Sequence, residues 1–242
     1  MMKDCTPILE GEFEILRVTP DLYDDVEELL TRISLEEEFG CLATRLKESS
    51  LAVSEFRTLI RHILTLGVSF AIRHVKSGSI VAAIASLVYN PRADSSYDNL
   101  ETKFRSPNML SYIRLFDAVD ESCNLKVGME SWMEVEYMVT LPEFRCRGLA
   151  YYLCRHTIDF GKLMAHGKLP SDVFLKLPEE MQIERPEAIT TIATSLTSQK
   201  CGIKLGMQVA HRWHITELQS LGVTIIDPME GLEYAELHVM RL

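Results

Sequence analysis

The stretch VEYMVTLPEFRCRGLA, from Val135 to Ala150, decides the fold and indicates a ligand. It reads as an apolar strand, a turn containing Pro142, and a loop of small and basic residues that opens a helix. This loop, Arg145 to Ala150, is predicted to lie where free backbone N–H groups and the positive end of a helix dipole converge. Gly148 lets a ligand approach the backbone, and the small Ala150 keeps the helix close to the sheet. The pattern therefore predicts a site for a phosphate or a pyrophosphate.

The composition is that of an ordinary globular protein. The chain has 242 residues, of which 47% are hydrophobic and 25% charged, so it is long enough to bury a substantial core. Its formal net charge of −10 argues against nucleic acid as the main partner, because phosphate binding needs a basic face. An acidic surface favours small cationic partners by steering their approach, although it can equally serve solubility alone.

The cysteine pattern and the apolar runs predict a compartment. The six cysteines include no C-x-x-C pair, which argues against a zinc ribbon or a thioredoxin-type site, and we expect no metal. The N-terminal sequence lacks the long apolar core of a signal peptide, and the longest apolar run, Ile80 to Val88, is too short to span a membrane. We therefore expect a cytoplasmic monomer with reduced thiols and no membrane partner.

Strands and helices alternate along the chain without a low-complexity linker, which predicts one α/β domain over residues 1–242. The apolar periodicities predict seven strands, at Glu12 to Val18, Val68 to Val75, Ser79 to Tyr89, Trp132 to Leu141, Ala188 to Ser195, Val209 to Ile215 and Tyr234 to Leu242. The predicted helices run from Pro20 to the Glu36-Glu37-Glu38 triplet, over Val53 to Leu66, Met109 to Lys126 and Gly148 to His166, and from a cap at Thr197 or Ser198 to Gly206. We expect Asn90 to Pro107 to form a surface loop and Leu169 to Pro186 to be irregular.

Two segments of this chain resemble a known family. A strand, then V-T-L-P-E-F-R-C-R-G-L-A, then a long helix resembles the acetyl-CoA-binding motif Q/R-x-x-G-x-G/A of the GCN5-related N-acetyltransferase (GNAT) superfamily. The segment ATSLTSQKCGIKLGM, from Ala193 to Met207, resembles the second half of the same fold. Its S-Q-K…K-L-G-(F/M) pattern is similar to the insect arylalkylamine/polyamine N-acetyltransferase branch. The order of predicted strands and helices matches that family over nearly the whole chain.

The resemblance implies the GNAT fold, a mixed, mostly antiparallel sheet flanked by helices. Its fourth and fifth strands, here about 132–141 and 188–195, would splay apart and leave a gap for the cofactor. The pantetheine arm of acetyl-CoA would lie in this gap and pair with the backbone near Met138, Val139 and Leu141. The pyrophosphate would bind the loop formed by Arg145, Cys146, Arg147, Gly148, Leu149 and Ala150.

The implied activity is acetylation of a small primary amine by direct attack on the acetyl-CoA thioester. The acceptor would be an arylalkylamine such as dopamine, tyramine or serotonin, or agmatine or a polyamine. An aromatic acceptor needs an apolar wall, for which Phe39, Tyr89 and Tyr97 are available, whereas a dicationic acceptor needs a second carboxylate. Two alternatives stay open: an acyl-CoA-binding module without amine turnover, and a protein or peptide N-acetyltransferase with an open groove.

A general base must take a proton from the acceptor ammonium. In the insect branch a Glu-Pro pair follows the first helix; here Phe39 stands where the proline would be, which favours Glu38 and then Glu37. A solvated acidic helix end is the structural alternative. Glu134, eleven residues before Arg145, matches the placement of the catalytic carboxylate in histone-type members. Period-2 alternation predicts that Glu134 and Glu136 share one face of their strand, where either can equally be plain sheet surface.

Two hydroxyl groups are candidates for protonating the leaving thiolate or orienting the reactants. Ser198 and Thr194 lie four residues apart at the start of a predicted helix, and both match hydroxyl positions of the insect pattern. A capping role for Ser198 is the alternative and does not exclude the first. His211 and His214 have an odd spacing in a predicted strand, so they are expected on opposite faces, where packing is the commoner role.

Overall fold

The computed structural model describes residues 5–91, 102–122, 129–220 and 233–242. The strands there are β1 (Cys5–Ile8), β2 (Phe13–Arg17), β3 (Phe70–His74), β4 (Ile80–Tyr89), β5 (Trp132–Thr140), β6 (Ala188–Ala193), β7 (Gln208–His214) and β8 (Tyr234–Arg241). The α-helices there are α1 (Tyr23–Glu37), α2 (Phe39–Ala43), α3 (Ser50–Thr65), α4 (Pro107–Glu121), α5 (Leu149–Ala165), α6 (Ser171–Phe174), α7 (Glu179–Ile183), α8 (Leu196–Lys204) and α9 (Ile215–Ser220). Within these ranges no helix combines the length and apolarity that crossing a bilayer requires.

The strands form a single mixed sheet in the order β1-β2-β3-β4-β5-β6-β8-β7. All neighbours are antiparallel except β5 and β6. The predicted mixed, mostly antiparallel sheet is thus confirmed, but the predicted count of seven strands is wrong, because eight are present. The missed strand is β1, which contains Pro7 and lacks apolar alternation; it lies at the edge of the sheet, where a proline is tolerated.

Helices cover both faces of the sheet. On one face, Phe56 of α3 and Tyr112 of α4 pack near Tyr137 of β5, with ring centroids of Phe56 and Tyr137 5.5 Å apart. On the other face, α5 lies so close that a Cβ atom on its Gly161 would meet the Ile189 side chain of β6 at 2.8 Å. The strands β5 and β6 therefore lie at the centre of a helix–sheet–helix sandwich.

A β-bulge in β5 changes which of its side chains share a face. Ala85 of β4 pairs with Tyr137 whereas the next residue, Ser86, pairs with Val135, so Glu136 is the additional residue of the bulge. The bulge shifts the alternation and places Glu134 on the face of Tyr137. Glu136 has no partner in the β4 register, so the period-2 pattern behind the prediction that it shares a face with Glu134 does not hold across the bulge, which leaves no mark in that pattern.

The parallel pairing between β5 and β6 is short. Among the described residues the ladder joins Met133 to Ile189 and Glu134 to Thr190 only. One residue further on, the Thr191 hydroxyl donates to the Val135 carbonyl oxygen at 3.0 Å. The strand β5 then continues to Thr140 with its ladder partners on β4.

The segment from Leu169 to Pro186, predicted as irregular, contains the short helices α6 and α7. The five-residue α2 was also missed, because it is too short to display a helical period. The other predicted elements are present in the predicted order, with ends that differ by a few residues. The end of the predicted helix over Met109 to Lys126 reaches into residues 123–128, which lie outside the described ranges. The same holds for residues 92–101 of the predicted loop over Asn90 to Pro107.

Candidate active site

The loop between β5 and α5 has the backbone form of an anion site. Arg145 is extended, Cys146 has a left-handed φ of 64°, and Gly148 has a left-handed φ of 79° and is the N-cap of α5. Gly148 carries no side chain that could cap the helix, and the first N–H groups of a helix lack intrahelical partners. These groups therefore lie at an exposed loop, at the positive end of a 17-residue helix.

Space in front of Gly148 is open. A Cβ atom built on it would meet only the Tyr152 ring within 4 Å among the described residues, at 3.9 Å. The positive φ, rather than close packing, is what favours glycine here. A ligand can consequently approach the backbone of this turn.

Both arginines of the loop are held by carboxylates. Arg145 donates from Nη2 to both carboxylate oxygens of Glu37, at 2.7 and 2.8 Å, and from Nε to the Thr140 carbonyl oxygen at 3.0 Å. Arg147 donates to Glu12 at 2.7 Å, and its guanidinium lies over the Phe144 ring. These ion pairs compete with a phosphate for the charge of the two guanidinium groups.

The predicted pantetheine positions lie on the edge of β5 that continues past the β6 ladder. Met138 and Val139 pair with Ile84 and Ala83 of β4. The Leu141 N–H donates to the Val81 carbonyl oxygen at 2.9 Å, so it too is bonded on the β4 side.

Glu38 is the N-cap of α2 and points inward. Its Oε1 accepts from the Gly40 N–H at 2.8 Å and its Oε2 from the Cys41 N–H at 2.7 Å. The residue takes an extended conformation where α1 ends, with φ −78° and ψ 133°, and this turns its half-buried side chain away from the acidic surface. Burial raises the pKa of the Glu38 carboxyl, and the two N–H groups oppose the shift without cancelling it.

The other two glutamates of the triplet face outward. Glu37 binds Arg145, and Glu36 binds Lys47 through an ion pair on the surface. The structure thus separates the two leading candidates for the base: Glu38 lies inside and Glu37 lies beside the loop. The solvated-end interpretation holds for Glu36 and Glu37 but not for Glu38.

A pair of buried tyrosines lies next to Glu38. The hydroxyl groups of Tyr112 and Tyr137 are 2.9 Å apart and share a hydrogen bond. Burial raises the pKa of each phenol far above its usual value, and the neighbouring Glu38 charge adds to this, so both stay protonated. Sequence reasoning missed this pair, because each tyrosine occupies an ordinary core position of its own helix or strand.

Glu134 is buried with 8% of its surface exposed and accepts from the Trp132 indole N–H at 2.9 Å. It lies where β5 pairs with both β4 and β6, opposite Leu87 and Thr190. It is therefore part of the sheet interior rather than solvated sheet surface.

Ser198 takes part in a capping box at the start of α8. The cap itself is Ser195, whose hydroxyl accepts from the Ser198 N–H, while the Ser198 hydroxyl accepts from the Ser195 N–H, each at 3.1 Å. The prediction of Thr197 or Ser198 as the cap is therefore wrong by a few residues. Thr194 follows β6 directly and is half-buried.

The remaining candidates are engaged in packing. His211 lies against Trp213 at 4.6 Å between ring centroids, and the ring of His214 bonds the Thr216 hydroxyl. They occupy opposite faces of β7, as predicted. Of the three residues considered for an aromatic wall, Phe39 is buried in a core cluster, Tyr89 lies against Trp132, and Tyr97 lies outside the described residues.

Comparison with known proteins identifies the fold. No protein-family model and no curated protein matches the sequence. An agmatine N-acetyltransferase structure superposes with a TM-score of 0.73 at 17% identity, covering 96% of this chain and 100% of that one. Arylalkylamine N-acetyltransferase 2 from Aedes aegypti gives 0.69 at 15% identity, covering 95% and 98%. The polyamine N-acetyltransferase of Drosophila melanogaster, which forms N-acetylagmatine, gives 0.66 at 16% identity, covering 95% and 100%.

These similarities extend over nearly the whole length of each protein. At sequence identities of 15 to 17% they establish the fold alone. The predicted resemblance to the insect N-acetyltransferases is therefore confirmed for the fold. The chain has the fold of these N-acetyltransferases.

Proposed function

We propose that this protein is an acetyl-CoA-dependent N-acetyltransferase that acts on a small primary amine. The observation that carries the proposal is the Gly148 loop. It joins a bulged strand to the N-terminus of α5 within a sheet of the N-acetyltransferase topology, and its left-handed turn and open front suit a diphosphate.

Acetyl-CoA, the acetyl donor, would lie across the Gly148 loop and then along β5. The diphosphate of acetyl-CoA would accept from the N–H groups of Cys146 to Ala150, and Arg145 and Arg147, now paired with Glu37 and Glu12, would add positive charge. The pantetheine arm would run along β5 past Met138, Val139 and Leu141. The two-pair ladder between β5 and β6 supports this path, because the strands form no further ladder pairs beside it.

The acceptor side would use Glu38 as the general base. Its carboxylate would take a proton from the acceptor ammonium, directly or through water, and the free amine would attack the thioester carbonyl carbon. The raised pKa of Glu38 makes it a stronger base than an ordinary surface carboxylate. Its rigid attachment to the N–H groups of α2 keeps it in one position.

Collapse of the resulting intermediate would expel the CoA thiolate, which needs a proton. Ser198 and Thr194 stay our candidates for supplying or relaying it, since both lie at the junction of β6 and α8. Glu134 is a weaker candidate for the base, because its carboxylate is engaged with the Trp132 indole in the sheet interior.

The negative net charge favours a cationic acceptor by raising its local concentration. Arylalkylamines and agmatine or polyamines are both cations, and the agmatine and arylalkylamine enzymes share this fold. We therefore propose a small cationic amine as the acceptor, and the assay below identifies which one.

The test is a turnover assay with purified protein and acetyl-CoA. It would be run against dopamine, tyramine, serotonin, agmatine, spermidine and a short peptide, with thiol release as the rate and mass spectrometry of the acetylated product as the identification. We expect amine-dependent release with at least one small amine. Tight CoA binding without turnover would contradict the enzyme and support a binding module, and turnover of the peptide alone would support a peptide N-acetyltransferase.

A further inference from the structure

Helix α4 lies across the turn that carries Glu38 and contacts it along one face. The Asn108 side-chain amide donates to the carbonyl oxygen of Thr44, the residue that ends α2, at 2.8 Å. Tyr112 follows one helical turn further along α4, and Phe116 one turn beyond that. Residues four apart in a helix share a face, so Asn108, Tyr112 and Phe116 form one stripe directed at α2.

The two rings of this stripe reach the backbone of Gly40. A Cβ atom on Gly40 would lie 2.7 Å from Cε2 of Phe116 and 2.8 Å from Cε2 of Tyr112, closer than real Cβ contacts. The rings therefore rest on the bare Cα of this glycine. The Gly40 N–H group also binds Oε1 of Glu38 at 2.8 Å. The stripe on α4 thus packs against the peptide that holds the proposed base.

Tyr112 also joins α4 to the strand that would carry the cofactor. Its hydroxyl shares a hydrogen bond with the hydroxyl of Tyr137 on β5, with the two oxygens 2.9 Å apart. Tyr137 follows the β-bulge and directly precedes Met138, the first residue of the predicted pantetheine path. One chain of contacts therefore runs from Glu38 through Gly40 and the two tyrosines to β5.

The rings around this hydrogen bond hold it in one geometry. The Phe56 ring of α3 meets the rings of Tyr112 and Tyr137 edge to face, at centroid distances of 5.6 and 5.5 Å. All three side chains are buried, with 3% of Tyr112 and 4% of Tyr137 exposed. Because burial limits competition from water, removal of one hydroxyl would leave the other without this partner.

We propose that Tyr112 and Tyr137 are positioning residues that fix Glu38 relative to β5. The proposal rests on the proposed function, in which Glu38 is the base and β5 carries the thioester arm. The hydroxyl–hydroxyl bond would set the distance between the carboxylate and the acetyl carbon, without either phenol touching a reacting atom. A base misplaced by about 1 Å can lose on the order of 10²-fold in rate, so one hydrogen bond at this junction can control turnover.

The test compares Tyr112→Phe and Tyr137→Phe, each of which keeps the ring and removes one hydroxyl. We expect the turnover number with the best amine of the panel to fall at least about fivefold in each variant, while the Kd of CoA from calorimetry changes by less than about twofold. The double variant should be no slower than the slower single one, because both changes break the same bond. Tyr23→Phe, at the opposite end of α1 from Glu38, is the matched control and should keep the wild-type turnover number.

A second comparison tests whether the tyrosines act through the base. In a Glu38→Ala background, Tyr112→Phe should lower the turnover number by less than about twofold further, because no base is left to position. The full fivefold loss in that background, or wild-type turnover in both single variants, would overturn the proposal. A matching loss of CoA affinity would assign the tyrosines to general packing and would overturn it as well.

Failure of the proposed function would look different. Absence of turnover by the wild type with every amine would contradict the enzyme itself. An unchanged rate in Glu38→Ala would contradict the choice of base. A wild type that turns over and a Glu38→Ala variant that does not, together with unaffected tyrosine variants, would contradict the positioning role alone.

Discussion

The Gly148 loop, Arg145 to Ala150, would bind the acetyl donor, and the join between α1 and α2 at Glu38, here called the Glu38 corner, would receive the acceptor amine. These two regions are built in different ways. The loop is a backbone feature: a strand ends, two residues adopt left-handed conformations, and a helix begins. The corner is a tertiary feature, in which one glutamate of three turns inward because α1 ends one residue before it and α2 begins one residue after it.

This difference explains what each half can tolerate. The loop depends on φ at Gly148 and on open space, so it should fail when a side chain fills that space. The corner depends on a carboxylate held by two N–H groups beside Tyr112 and Tyr137, so it should fail when the carboxylate is removed even if the fold survives.

The largest expected effect is loss of the donor site in Gly148→Trp. The indole would fill the space in front of the α5 N-terminus, and we expect no measurable CoA binding by calorimetry. The left-handed φ alone costs a non-glycine residue about 1–2 kcal/mol. Gly78→Trp is the matched control, because Gly78 has a φ of 71° and equally open surroundings in the turn between β3 and β4. Retained affinity in Gly148→Trp would refute the placement of the diphosphate.

The next effect is loss of the base in Glu38→Ala. We expect the turnover number to fall on the order of 10²-fold, as is typical for a general base. The loss should be greatest toward the acidic end of the range in which Glu38 is ionised, because free amine is scarcest there. In wild type, kcat/KM should fall at acid pH with an apparent pKa above the usual glutamate value of about 4.3, since burial raises the pKa of Glu38.

The control for Glu38→Ala is Glu36→Ala, from the same acidic triplet but on the surface. Because Glu38 caps α2, its loss should also lower the free energy of unfolding by about 1 kcal/mol. Thermal melts would show that the variant remains folded at the assay temperature. An unchanged pH–rate profile in Glu38→Ala would move the role to Glu134 or to solvent.

A smaller effect separates two functions of the hydroxyls at α8. Ser195→Ala and Ser198→Ala each break the capping box and should destabilise the protein by a similar amount, about 1 kcal/mol. We expect Ser198 also to supply or relay the proton to the leaving thiolate. The turnover number should then be lower in Ser198→Ala than in Ser195→Ala. Equal turnover in the two variants would assign Ser198 to capping alone.

The smallest effect concerns the ion pair that joins the two regions. Glu37→Gln releases Arg145, so we expect CoA affinity to rise by at most about fivefold, because an exposed pair is worth up to about 1 kcal/mol. The turnover number should stay at the wild-type level. A fall comparable to that of Glu38→Ala would identify Glu37 as the base instead.

The same contrast describes what the sequence could predict. Strand β5, the loop and α5 were readable because alternation, Gly148 and helical spacing are local signals. The edge strand β1 was missed because Pro7 conceals it, and the bulge at Glu136 was missed because an inserted residue leaves no periodic mark. Several adjacent serines and threonines could each cap α8, so their residue types alone do not distinguish Ser195 from Thr197 or Ser198.

The acceptor side of the site was the part least predictable from the sequence. Nothing in the triplet Glu36-Glu37-Glu38 states which carboxylate is buried, since that follows from the join between α1 and α2. The hydrogen bond between Tyr112 and Tyr137 joins residues 25 positions apart, so no local pattern could indicate it. Chemistry that depends on long-range contacts is therefore the part that sequence patterns leave open.

The most direct test is a crystal structure of the protein with CoA. We predict the diphosphate against the N–H groups of Cys146 to Ala150, the pantetheine arm along β5 past Met138, and the sulfur on the side of the Glu38 carboxylate. That result would join the two regions in one site. A diphosphate bound elsewhere, or a sulfur remote from Glu38, would contradict the account.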